Sequence, residues 1–80
     1  MTFSKWLDTF LSEKGIDAEQ MLVVDGPSGE NRIPVGCLVE AMKQAPRNER
    51  DAIKTTIVKI DFLNGDVLHY FKHLAQAIAL

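Results

Sequence analysis

This 80-residue chain holds one cysteine, Cys37, so no disulfide can form within it. A small domain without covalent staples suits a reducing cytosol. Long apolar runs are missing as well. No segment approaches the roughly 18 uninterrupted apolar residues of a membrane span. Lys5 and Asp8 interrupt the first apolar stretch, which argues against a secretory signal peptide. A dominant charge is also lacking: nine Lys/Arg and eleven Asp/Glu leave a net of −2, which exerts no general pull on nucleic acid or anionic lipid. Internal repeats and low-complexity tracts are absent.

What remains is ordinary globular material, 46% hydrophobic and 25% charged, and enough for one small domain spanning 1–80. A chain of this size hides only about 60% of the surface its unfolded form exposes, so its stability is expected to be modest. The charge is uneven. Residues 1–40 carry three Lys/Arg against seven Asp/Glu, and residues 41–80 carry six against four. Opposite halves favour self-docking slightly.

Thr2 is placed to cap a first helix running to about Lys14, with Phe3, Leu7, Phe10 and Leu11 on one face and Trp6 beside Phe10 as a core anchor. Gly15 supplies a left-handed stop, with Ile16 positioned to touch Leu11. Asp17 to Gln20 offers one further short helical turn. Met21 to Asp25 is β-prone, Gly26-Pro27-Ser28-Gly29 is turn material, and Asn31-Arg32-Ile33 returns as a second strand. Pro34 suits the first turn of a second helix lined by Val35, Leu38, Val39 and Met42 as far as Gln44.

Pro46 opens a third helix to about Leu63, whose main apolar stripe is Ile53, Thr56, Ile57 and Ile60; Ile53, Ile57 and Ile60 are expected to lie deeply buried against the next helix. Asn64-Gly65-Asp66 then stops one helix and caps another. The fourth helix, Asp66 to about Ala79, carries an apolar arc about 200° wide, more than one neighbour covers, so it is either central or part of an interface. The expected fold class is mainly α (α+β): a four-helix domain with a short two-stranded β-hairpin between the first and second helices.

Candidate chemistry is sparse. Gly26 to Arg32 superficially resembles a phosphate-binding loop, but Asn31 stands where a second glycine is needed, Arg32 where lysine is needed, and Ile33 where a hydroxyl would hold magnesium. A plain hairpin turn is expected. His69 and His73 share the polar side of the fourth helix with Asp66, yet Asp66 is consumed as a cap and no further ligand is near in sequence. Two solvated histidines, no metal and no cofactor are expected.

Cys37 sits among apolar neighbours and reads as small core filler. Lys43, Arg47, Arg50 and Lys54 form a basic ridge. It reads first as a solvated face; its functional readings are an acidic protein partner or nucleic acid. Val58 and Phe62 lie almost opposite the main stripe of the third helix. They are expected under the first helix or the hairpin, Phe62 especially because it precedes a tight turn. The alternative is an exposed patch for a partner or a second copy.

Three stretches carry a resemblance: Gly26-Pro27-Ser28-Gly29, Ile33-Pro34-Val35-Gly36 with Val39-Glu40-Ala41, and Val58 through Val67 continued by Tyr70 to Ala75. Together they resemble small uncharacterised proteins encoded on phages and conjugative elements of gut Firmicutes. The resemblance implies a cytoplasmic bacterial accessory protein, a setting where inhibitors, adaptors and regulators are common, and it carries over no site residues. The resulting expectation is a non-enzymatic protein-interaction module (adaptor, regulator or host-factor inhibitor) using Lys43, Arg47, Arg50, Lys54, Val58 and Phe62. The alternative is a small DNA-associated regulator gripping phosphate with the ridge on helices 2–3. A small enzyme would need a carboxylate or histidine cluster assembled by the fold.

Overall fold

The computed structural model describes residues 1–79. In chain order they form α1 (Phe3–Glu13), β1 (Met21–Gly26), β2 (Gly29–Pro34), α2 (Val35–Lys43), α3 (Arg47–Phe62) and α4 (Val67–Ala79). This is the expected α+β arrangement of four helices with an antiparallel hairpin between the first two.

Local chemistry accounts for most of the boundaries. Thr2 Oγ1 accepts from the Lys5 N–H at 3.2 Å, capping α1. Past its other end, Gly15 is left-handed, Ile16 N–H donates to Leu11 C=O at 2.9 Å and Gly15 N–H to Ser12 C=O at 3.2 Å. The same paired bonds close α3, from Gly65 N–H to Ile60 C=O and from Asn64 N–H to Asp61 C=O. There Asn64, with φ 57°, takes the left-handed place. Gly65 is needed for space instead, since a Cβ on it would lie 2.9 Å from Ile60 Cγ2. Asp66 then accepts from the His69 N–H at 3.2 Å, as its reading as a cap requires.

Residues 17–20 make a single turn rather than a helical one. Asp17 holds it through the Glu19 N–H at 2.9 Å and the Gln20 N–H at 3.1 Å. That turn serves α2: Val35 N–H donates to Gln20 C=O and Gly36 N–H to Ala18 C=O, both at 2.8 Å. Pro34 and Pro46 each stand one residue before their helix.

The hairpin pairs Met21 with Pro34 through Gly26 with Gly29, leaving Pro27 and Ser28 as a two-residue turn. Leu22 and Val24 point inward and are buried; Met21, Val23 and Asp25 face out. Across the free edge of β1, Asp25 N–H donates to Gln76 Oε1 at 2.9 Å, and Gln76 Nε2 donates back to Asp25 C=O. One side-chain amide thus stands in for a neighbouring strand.

α4 is the central element, packed against β1, α2 and α3, with Val67, Phe71 and Ala75 buried at steps of four. Phe71 is the largest fully buried side chain. α1 adds Leu7, Phe10 and Leu11, and α2 adds Val35, Leu38, Val39 and Met42. The longest helix, α3, buries only Ile57.

Several expectations change accordingly. Ile53 and Ile60 are half-buried, because α3 lids the core rather than threading it. Trp6 is no core anchor; it sits at the rim, stacked on Phe10 with ring centroids 5.5 Å apart. Cys37 is exposed: it lies ~150° around α2 from the buried stripe, so its apolar neighbours in sequence are not neighbours in space. Val58 and Phe62 are exposed as well. The hairpin packs chiefly on α4 and α2, and the Leu63–Gly65 turn carries the chain past Ile60, on the other side of the helix from Phe62.

Candidate functional site

α3 covers the core with one side and turns the other to solvent. Arg47, Asp51, Lys54, Val58 and Phe62 recur at steps of three and four, so they share that outer face. Its flank against α1 is fixed by two charged contacts. Lys54 Nζ stands 5.3 Å from the centroid of the Trp6 ring, and Lys14 Nζ meets Asp61 Oδ1 at 2.6 Å.

The basic end is built from three cations, not the expected four. Lys43 Nζ bonds Asp8 Oδ1 at 2.7 Å, and its side chain is only 19% exposed. It ties α2 to α1 instead of continuing the ridge. Arg47 is exposed, while Arg50 and Lys54 are half-buried. All three line one concavity of about 360 Å³ with Thr2, Phe3 and Asp51. Arg50 Nε is buried and without a hydrogen-bond partner among the described residues. An unpaired guanidinium donor is costly to bury and is relieved by an oxygen acceptor.

The apolar end begins one turn later. Phe62 is 82% exposed, Leu63 65% and Val58 49%. Val58 and Phe62 stand ~40° apart in projection and form one continuous ledge.

The other candidates resolve more plainly. The Gly26–Gly29 segment leads into a strand, not a helix, and its backbone closes a hairpin. His69 and His73 are exposed, with rings edge to face 5.1 Å apart. Among the described residues, no three His, Cys, Asp or Glu side chains group as metal ligands. Among the described residues Cys37 is a free and exposed cysteine. One feature escaped the sequence reading: an apolar cleft of about 340 Å³ where α2, α3 and α4 diverge, lined by Leu38, Met42, Ile53, Leu74 and Ile78. Its only signal was the overly wide apolar arc of α4. No described helix is long and apolar enough to cross a membrane.

No known protein family matches this chain, and neither a curated protein nor a solved structure is significantly similar to it.

Proposed function

We propose that this protein is a non-enzymatic protein-interaction module, acting in the bacterial cytoplasm as an adaptor, regulator or host-factor inhibitor of a mobile element. The mobile-element setting rests on the resemblance in residues 26–41 and 58–75. The observation that supports the interaction reading is the outer ledge of α3, where Val58 and Phe62 stand in water although the same helix has a core-facing side. Covering a side chain as large as Phe62 is worth about 1.5–3 kcal/mol. A partner seated there gains that energy; the isolated domain forgoes it.

The DNA-associated reading is weakened by the geometry of Lys43. With its ammonium taken by Asp8, the ridge keeps three cations beside one carboxylate, Asp51. Phosphate binding strength follows the number of neutralised charges, and three are few.

The test is a tagged chain expressed in its native host, wild type against Phe62→Ser and Val58→Ser. Partners are quantified by mass spectrometry and each variant's melting temperature is measured. A specific partner should be lost in both variants while the melting temperature stays near that of wild type. An unchanged partner set would remove the ledge from the function.

A further inference from the structure

We infer that the outer face of α3 receives an amphipathic peptide segment, acidic at one end and apolar at the other. This inference rests on the interaction reading above and specifies the partner's chemistry. The face is polarised along its length. Arg47 and Lys54 occupy its first two turns, with Arg50 at the edge toward the core, and Val58 and Phe62 its last two, flanked by Lys59. From Arg47 to Phe62 the axis spans ~22 Å, enough for a facing helix of four turns or a shorter extended segment.

The cationic end is concave and the apolar end is an open ledge. Carboxylates entering the concavity meet the cations that line it, Arg47, Arg50 and Lys54. Among the described residues Asp51 is the one acidic residue lining that concavity, and Asp61 is held by Lys14 on the α1 flank. The acidic end therefore meets three positive charges against one negative. Glu49 lies off this face, in the apolar cleft beside α4.

A nucleic acid fits poorly, because its charge repeats along its whole length while the three clustered cations stop at Lys54 and only Lys59 follows, in the last turn of α3. A peptide can end its charge where the protein does. Charge complementarity also selects orientation: a segment docked in reverse sets its carboxylates on Phe62 and its apolar end on Arg47 and Lys54.

The experiment is selection of a displayed random library of 16-residue peptides, the length of α3, on the intact chain. Wild type, Arg47→Glu, Arg50→Gln and Phe62→Ser are compared, each checked by its melting temperature. Peptides enriched on wild type should carry acidic residues at one end and Leu, Phe or Trp at the other. Their affinity, read by fluorescence anisotropy, should fall about tenfold with Arg47→Glu or Arg50→Gln. It should fall with Phe62→Ser too.

Enriched peptides without an acidic end, or indifferent to Arg47→Glu, overturn the polarised partner while leaving the ledge as an interaction surface. Peptides indifferent to Phe62→Ser overturn the ledge itself. No enrichment over an unrelated control domain overturns both. Two further outcomes replace the peptide with another occupant. One is duplex DNA binding more tightly than the selected peptides. The other is sedimentation showing a wild-type dimer that Phe62→Ser dissolves.

Discussion

Truncating Ile57 and Phe62 to alanine, two apolar positions five residues apart on α3, should give opposite results. Ile57 is fully buried and Phe62 is 82% exposed. Ile57→Ala removes three buried carbons, a transfer loss of about 2.4 kcal/mol. The cavity left in the core raises the total into the range of about 2–5 kcal/mol. A domain of this length holds about 4–12 kcal/mol in all, so the change takes a large share of it. Near the midpoint each kcal/mol moves the melting temperature of so small a domain by about 4–8 °C, which puts the expected drop for Ile57→Ala between about 8 and 40 °C. Phe62→Ala removes a larger side chain but little buried area, and should stay within about 0.5 kcal/mol of wild type. Thermal denaturation followed by circular dichroism measures both. Ile57→Ala melting within about 5 °C of wild type, or Phe62→Ala melting as low as Ile57→Ala, would refute the packing described for α3.

Gln76→Ala should cost about 0.5–1.5 kcal/mol by removing the exposed hydrogen bonds to the Asp25 amide and carbonyl, which water then takes over; hydrogen exchange at the Asp25 N–H should speed up well beyond the global change. Cys37 should react with Ellman's reagent in the native protein as fast as in denaturant, and a protected thiol would contradict its exposed place on α2. Gly65→Ala should destabilise by about 1 kcal/mol or more because its Cβ runs into Ile60, whereas Asn64→Gly should leave stability unchanged or slightly raised; urea denaturation of the pair tests this. Stoichiometric zinc should leave the melting temperature where it is, since Asp66 is occupied as a cap and two histidines alone make an incomplete site; a rise of several degrees abolished by His69→Ala would show otherwise.

What could be read from the sequence was chemistry confined to a few neighbouring residues. Thr2, Gly15, Asn64-Gly65 and Asp66 mark helix ends because caps and left-handed stops are local bonds. The hairpin is equally local, closed by Pro27 and Ser28. What was missed depends on residues far apart in the chain. Lys43 leaves the ridge because of Asp8, and nothing near position 43 announces it. The two apolar sides of α3 were legible, but which side is covered is decided by where the hairpin goes, and it goes to α4. The surface position of Cys37 is a different matter: the helical projection of α2 already places it opposite Val35 and Val39, and the apolar company around it in sequence hid that.

The bond between Gln76 and Asp25 also bears on the order of events during synthesis. Its partners are 51 residues apart, and the helix that supplies Gln76 also roofs Leu22 and Val24. Until that helix has left the ribosome, the emerging hairpin shows its apolar side and an unpaired strand edge together, the combination that invites aggregation. Domains whose first segments wait on their last fold late and are exposed while waiting. A ribosome stalled before residue 66 would therefore present a sticky fragment rather than a partial domain, a natural target for chaperones and proteases.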